Sequence, residues 1–126
     1  MPAFPEGLGI ILVDHGSRRD EANALLDQVV PLVRESTGVR IVEAAHMELA
    51  SPTISDAFAA CVEQGATQVA IHPYFLAPGR HSTEDIPAMA AEAAAAWPDV
   101  PYTVSKPLGL DARLGEVIAD RIREAL

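Results

Sequence analysis

LGIILVDHGSRRD, residues 8–20, opens with six residues that carry no polar side chain and breaks that run at Asp14. A strand with one face in water alternates polar and apolar side chains. An unbroken apolar run belongs to a strand covered on both faces, and such strands are found in parallel sheets between layers of helices. Residues 8–13 therefore read as the first parallel strand, and DHGSRRD as the loop beyond its carboxyl end. Ala22, Leu25, Leu26, Val29, Val30 and Val33 then recur at helical spacing, with Pro31 expected to kink or shorten the helix and Gly38 to stop it.

The same alternation continues outward from this unit. Residues 39–45 form a second strand that leads through His46, Met47 and Glu48 to Ser51-Pro52, where the serine is placed to cap a helix and the proline to sit in its first turn. That helix reaches about Gln64, and Gly65 closes it. Residues 68–72 make a third strand and run into HPYFLAPGRHSTEDIP, residues 72–87, a polar loop with two histidines ahead of a helix that starts at Pro87. AMAAEAAAAW is stopped by Pro98, residues 102–104 form a short fourth strand, and Asp111 caps a last amphipathic helix built on Leu114, Val117, Ile118 and Ile122. The expected fold is α/β: one domain over residues 1–126, with a small parallel sheet of about four strands and helices on both faces, in the manner of a flavodoxin-like open sheet.

Composition excludes several function classes. With 126 residues, 49% hydrophobic and 21% charged, the chain has enough apolar material for one sizeable core. Nine basic against eighteen acidic residues leave a net charge of −9, which argues against binding a nucleic-acid backbone. Cys61, the single cysteine, precludes an intrachain disulfide or a cysteine-rich metal cage and reads as core in AFAACVEQ. No signal peptide or membrane-spanning run is apparent, so a soluble, cytoplasmic protein is expected.

Ligands of open α/β sheets bind outside the carboxyl ends of the strands. His15, Glu48 and His81 follow the first three strands and stand 33 positions apart in each interval, about one βα unit. Two imidazoles and a carboxylate meeting there, with positions left open, would suit a divalent transition metal. Each also has a plainer reading. His15 can cap a turn, Glu48 can be a solvated loop acid, and His46, two residues before Glu48 on an extended segment, would point to the same face and compete as ligand. His72, at a strand end before proline, reads as a packed or hydrogen-bonded side chain. Arg18, Arg19 and Arg80 are either solvated or a grip for substrate carboxylates. A phosphate-transfer reading of DHGSR lacks the arginine that should precede His15, because Asp14 stands there.

LVDHGSRRDEAN, HMELASPTI and HPYFLAPGRHSTEDIP occur in that order over nearly the whole chain, and together they resemble the short form of the CbiX and SirB group of class II tetrapyrrole chelatases. The resemblance implies insertion of ferrous iron or cobalt into sirohydrochlorin, without ATP or an organic cofactor. It also implies that His15, Glu48 and His81 occupy the metal positions. Long relatives hold two such halves in one chain, so a half-size chain is expected to act as a homodimer with its cleft between subunits. His46 stands where relatives usually carry an apolar residue. The cysteine-rich extension and the His-rich tail of some relatives are absent from these 126 residues.

Metal insertion requires a hydrated ion to shed water and a macrocycle to lose two pyrrole protons, so the ion must be held loosely beside a base. Neutral imidazoles at His15 and His81 can ligate or accept protons, and Glu48 offsets the charge of the ion. Ser17, Ser82 and Thr83, with Arg18, Arg19 and Arg80, are the expected holders of the substrate's carboxylate arms. Tyr74, Phe75, Leu76 and Pro78 offer an apolar wall or belong to the core. The competing reading from another class is a non-catalytic metal carrier or tetrapyrrole-binding protein using the same histidines.

Overall fold

The computed structural model describes residues 3–77, 79 and 84–126. Pro78, Arg80, His81, Ser82 and Thr83 lie outside them, and with them the part of the expected site they carry. The elements follow one another as β1 (Leu8–Asp14), α1 (Asp20–Thr37), β2 (Ile41–His46), α2 (Ile54–Glu63), β3 (Gln68–Pro73), α3 (Ile86–Ala94), β4 (Tyr102–Val104) and α4 (Ala112–Ala125). The four strands form one parallel sheet in the order β2-β1-β3-β4.

The apolar run that ends at Val13 occupies β1, paired on both sides and buried along its middle. Its side chains divide by strand alternation. Ile10 and Leu12 join Leu26 and Val30 of α1 on one face, whereas Ile11 and Val13 join Phe58 and Cys61 of α2 and Ile86 and Ala90 of α3 on the other. Each fully buried aliphatic side chain contributes roughly 1.5–3 kcal/mol. The larger cluster lies on the α2/α3 face, which makes that face the main hold on the sheet.

Local expectations needed adjustment where polar groups compete for the backbone. α1 runs through Pro31 without being shortened. The carbonyl that proline leaves without a helical partner belongs to Asp27, and both residues face water, which can take the place of the missing N–H. β2 begins at Ile41, two residues later than expected, and extends to His46. Ser51 is not the cap of α2. The cap is Thr53, whose hydroxyl accepts from Asp56 N–H while the Asp56 carboxylate accepts from Thr53 N–H. The turn before it is tied instead to β2, Pro52 O accepting from His46 N–H at 2.8 Å. α3 ends at Ala94, short of Trp97.

Gly38 ends α1 in the left-handed conformation and Asp111 caps α4, both as expected. α4 differs from the other helices. Among the described residues it buries no side chain and touches the other elements only marginally. Among the described residues no helix is long and apolar enough to cross a membrane.

Candidate active site at the carboxyl end of the sheet

Strand order places a topological switch at β1: the chain moves to β2 on one side and later returns to β3 on the other. Crevices in open α/β sheets form at such a point, beyond the strand ends. A cleft of about 790 Å³ opens there, bounded by Asp14 at the end of β1, by His15, Gly16 and Ser17 after it, by Tyr74 and Phe75 after β3, and by the flank of α1. Its size is that of a site for a substantial organic ligand.

The loops after β1 and β2 are joined through their backbones. Asp14 O accepts from Met47 N–H at 2.9 Å and His15 O from Glu48 N–H at 3.1 Å. This brings the side chains together, with His15 Nε2 3.3 Å from Glu48 Oε1 and both about half exposed. Gly16 makes the approach possible: its φ of 93° lies in the left-handed region, and a Cβ there would collide with the Glu48 carbonyl. Ser17 is clamped on both peptide groups by the Asn23 side chain, Asn23 Nδ2 donating to Ser17 O at 2.8 Å and Ser17 N–H to Asn23 Oδ1 at 2.9 Å. The Ser17 hydroxyl accepts from Arg19 N–H at 3.0 Å. Arg18 and Arg19 are exposed on this loop, Arg19 with its Nε 3.7 Å from Glu21 and Arg18 beside a second, smaller hollow that also includes His46.

His46 and Glu48 do not share a face. β2 stops at His46 and the backbone bends, so that Glu48 reaches the rim while His46 is 2% exposed. The His46 Nδ1 lies 2.6 Å from Asp14 Oδ1, its register partner on β1. Of the two, Glu48 reaches the rim and His46 does not. Sequence reasoning passed over the Asp14–His46 pair, although two ionisable side chains at equivalent strand ends were a usable signal. It also passed over Asn23, for which the sequence held no signal. His72 lies within β3, its Nδ1 2.8 Å from the Ser105 hydroxyl, and burial holds its pKa below the usual histidine value. Cys61 is core, and burial followed by the charge of Glu43 pushes its thiol up to about 12.

Among the described residues no three histidine, cysteine, aspartate or glutamate side chains converge in a metal-binding group. His15 and Glu48 supply one nitrogen and one oxygen donor, and His81, the third expected donor, lies outside the described residues. One imidazole and one carboxylate on an open rim fit a borderline divalent cation that keeps exchangeable positions.

The chain matches the protein family described as CbiX over residues 9–125. It is 51% identical over 118 residues to the chloroplastic sirohydrochlorin ferrochelatase of Arabidopsis thaliana, covering 94% of this chain and 52% of that protein. It is 31% identical to the sirohydrochlorin cobaltochelatase of Methanopyrus kandleri, covering 94% and 97% respectively. The chain spans about half the length of the Arabidopsis relative and 43% of a sirohydrochlorin ferrochelatase from Priestia megaterium. Among solved structures, SirB from Bacillus subtilis with Fe3+ superposes with a TM-score of 0.84 at 31% identity, covering 94% of this chain and 47% of that one. The sirohydrochlorin chelatase SirB of Bacillus subtilis subspecies spizizenii in complex with cobalt gives 0.84 at 32% identity, covering 93% and 50%.

Proposed function

The chain belongs to the CbiX family, and from that premise we propose that it is a sirohydrochlorin chelatase, inserting ferrous iron or cobalt into the macrocycle. The observation that carries the reading is the pairing of Glu48 with His15, a residue that lines a large cleft on the β1/β3 switch. Relatives named for iron and for cobalt support both metals as substrates.

His15, Glu48 and His81 hold the incoming ion, and these same groups accept the pyrrole protons as it enters the ring. With few protein ligands, the ion is released to the macrocycle rather than stored. Arg18, Arg19 and Arg80, with the hydroxyls of Ser17, Ser82 and Thr83, hold the carboxylate arms. Arginine forks suit that task, and a local cationic loop can act within a protein whose net charge is −9. Tyr74 and Phe75 border the cleft and give the ring an apolar wall. No organic cofactor takes part, and two copies associate to complete the cleft.

The test is anaerobic absorbance of sirohydrochlorin with ferrous iron or cobalt. The intact protein is expected to convert the macrocycle faster than buffer, and His15→Ala or His81→Ala to lose roughly 10²-fold or more of that rate. Conversion no faster than buffer would sink the enzyme reading and leave a metal carrier.

A further inference from the structure

We propose that Asn23, at the start of α1, is a positioning residue for the substrate: its side chain fixes Ser17 so that Arg18 and the Ser17 hydroxyl present one rigid grip to a carboxylate arm of the macrocycle. The proposal deepens the reading above and rests on it for the identity of that macrocycle.

Asn23 reaches back along the chain and closes the loop on itself. Its Oδ1 accepts from Ser17 N–H at 2.9 Å and its Nδ2 donates to Ser17 O at 2.8 Å, so a single amide takes both peptide groups of one residue. A side-chain amide offers a donor and an acceptor side by side, whereas an aspartate would set oxygen against the Ser17 carbonyl. Arg19 is tied on both of its peptide groups as well. Its N–H donates to Ser17 Oγ at 3.0 Å, and its carbonyl accepts from Ala22 N–H at 3.1 Å and from Asn23 N–H at 3.2 Å.

Arg18 stands between these two anchors. It is exposed, and its side chain makes no hydrogen bond or ion pair among the described residues, whereas Arg19 has its Nε 3.7 Å from Glu21. A cation on a mobile loop gives up backbone as well as side-chain freedom when it grips a ligand, and a backbone fixed in advance lowers that cost. Ser17 is prepared in the same way. Its hydroxyl oxygen accepts from Arg19 N–H, and its own O–H meets no acceptor among the described residues, which leaves it to donate to a carboxylate oxygen.

The clamp is separate from the bonds that set the metal pair. Residues 15 and 48 are held by Met47 N–H to Asp14 O and Glu48 N–H to His15 O, to which Asn23 contributes nothing. Ser17 and Asn23 both border the cleft and also the smaller hollow beside Arg18, so they form the ridge between the two. Asp20 and Asp27 line that hollow, and their charges oppose a carboxylate, which places the grip at the ridge rather than deeper in the hollow. Loss of Asn23 should therefore loosen the hold on the macrocycle and spare the metal donors.

The test compares the intact chain with Asn23→Ala in two titrations: metal-free sirohydrochlorin, read by its fluorescence, and cobalt without macrocycle. Alanine suits a helix, so α1 is expected to stay folded, which circular dichroism checks. The expected result is a dissociation constant for sirohydrochlorin raised roughly 10-fold, with cobalt affinity unchanged within about 2-fold. Unchanged sirohydrochlorin affinity would overturn the proposal, and so would equal losses for both ligands, which mark a general loosening. In a chain already carrying Ser17→Ala and Arg18→Ala the clamp has nothing left to position, so adding Asn23→Ala should cost less than about 2-fold more. A full further loss in that background would also count against it. Sirohydrochlorin affinity keeps the two readings apart: a wild-type chain that binds the macrocycle without speeding metallation would sink the enzyme reading and leave the clamp standing. A chain that metallates but binds sirohydrochlorin equally well after Asn23→Ala would sink the clamp alone.

Discussion

A methyl group added at Gly16 would fall on the Glu48 carbonyl, at a backbone φ of 93° that side-chain-bearing residues avoid. Gly16→Ala is therefore expected to cost about 1–3 kcal/mol of stability and to push the β1 and β2 loops apart. Urea denaturation and cobalt titration check both effects, and unchanged cobalt binding would show that loop spacing does not govern the metal role proposed for His15 and Glu48. Cys61 gives a pH prediction. Its thiol is pushed up to about 12, so between the unfolded value near 9 and 12 the unfolded chain ionises while the folded one stays protonated. Stability should fall as pH rises through that window, by up to about 1.4 kcal/mol per unit from this group, and Cys61→Ala should flatten the slope. Denaturation midpoints at pH 8.5 and 10.5 measure it. That His15 and Glu48 meet at one rim was legible in the sequence because one βα unit separates them, and unit length is set by the geometry of helix and strand. His46 was misplaced because β2 ends where His46 N–H donates to Pro52 O and Met47 and Glu48 turn to the β1 loop, which residue spacing does not encode.

Helix starts and strand ends are where the sequence was hardest to read, since several polar residues bid for the same orphan backbone groups. At α2 the reciprocal Thr53–Asp56 bonds prevail over Ser51. Thr53→Ala should lower stability by about 1 kcal/mol and Ser51→Ala by less than about 0.5 kcal/mol, read as shifts in the urea midpoint. Equal effects would return the cap to Ser51. The ends of β1 and β2 are clipped by the 2.6 Å contact between Asp14 and His46. Removing the imidazole leaves a carboxylate with a lost partner and a hole beside it, so His46→Ala should cost roughly 3 kcal/mol. Thermal unfolding measures that cost, and a loss below about 1 kcal/mol would mean that water replaces the ring without penalty.

At the scale of the molecule, the alternation of apolar runs and helical stripes was enough to read an open parallel sheet with helices on both faces, because layer architecture follows from which surfaces must be covered. The fate of α4 was not legible, since an amphipathic stripe states that a helix needs a partner without stating which one. The homodimer proposed above would make stability depend on concentration: the melting temperature should rise as protein is raised from about 1 to 100 μM, and a flat profile would indicate that each copy folds unaided. The hydrogen bonds that set His15 against Glu48 run from peptide group to peptide group, Met47 to Asp14 and Glu48 to His15. These bonds are therefore indifferent to the side chains carried at residues 15 and 48. With the metal role proposed for His15 and Glu48, their donor atoms could be exchanged in descent without disturbing folding, and metal preference would be a trait that selection can alter by itself.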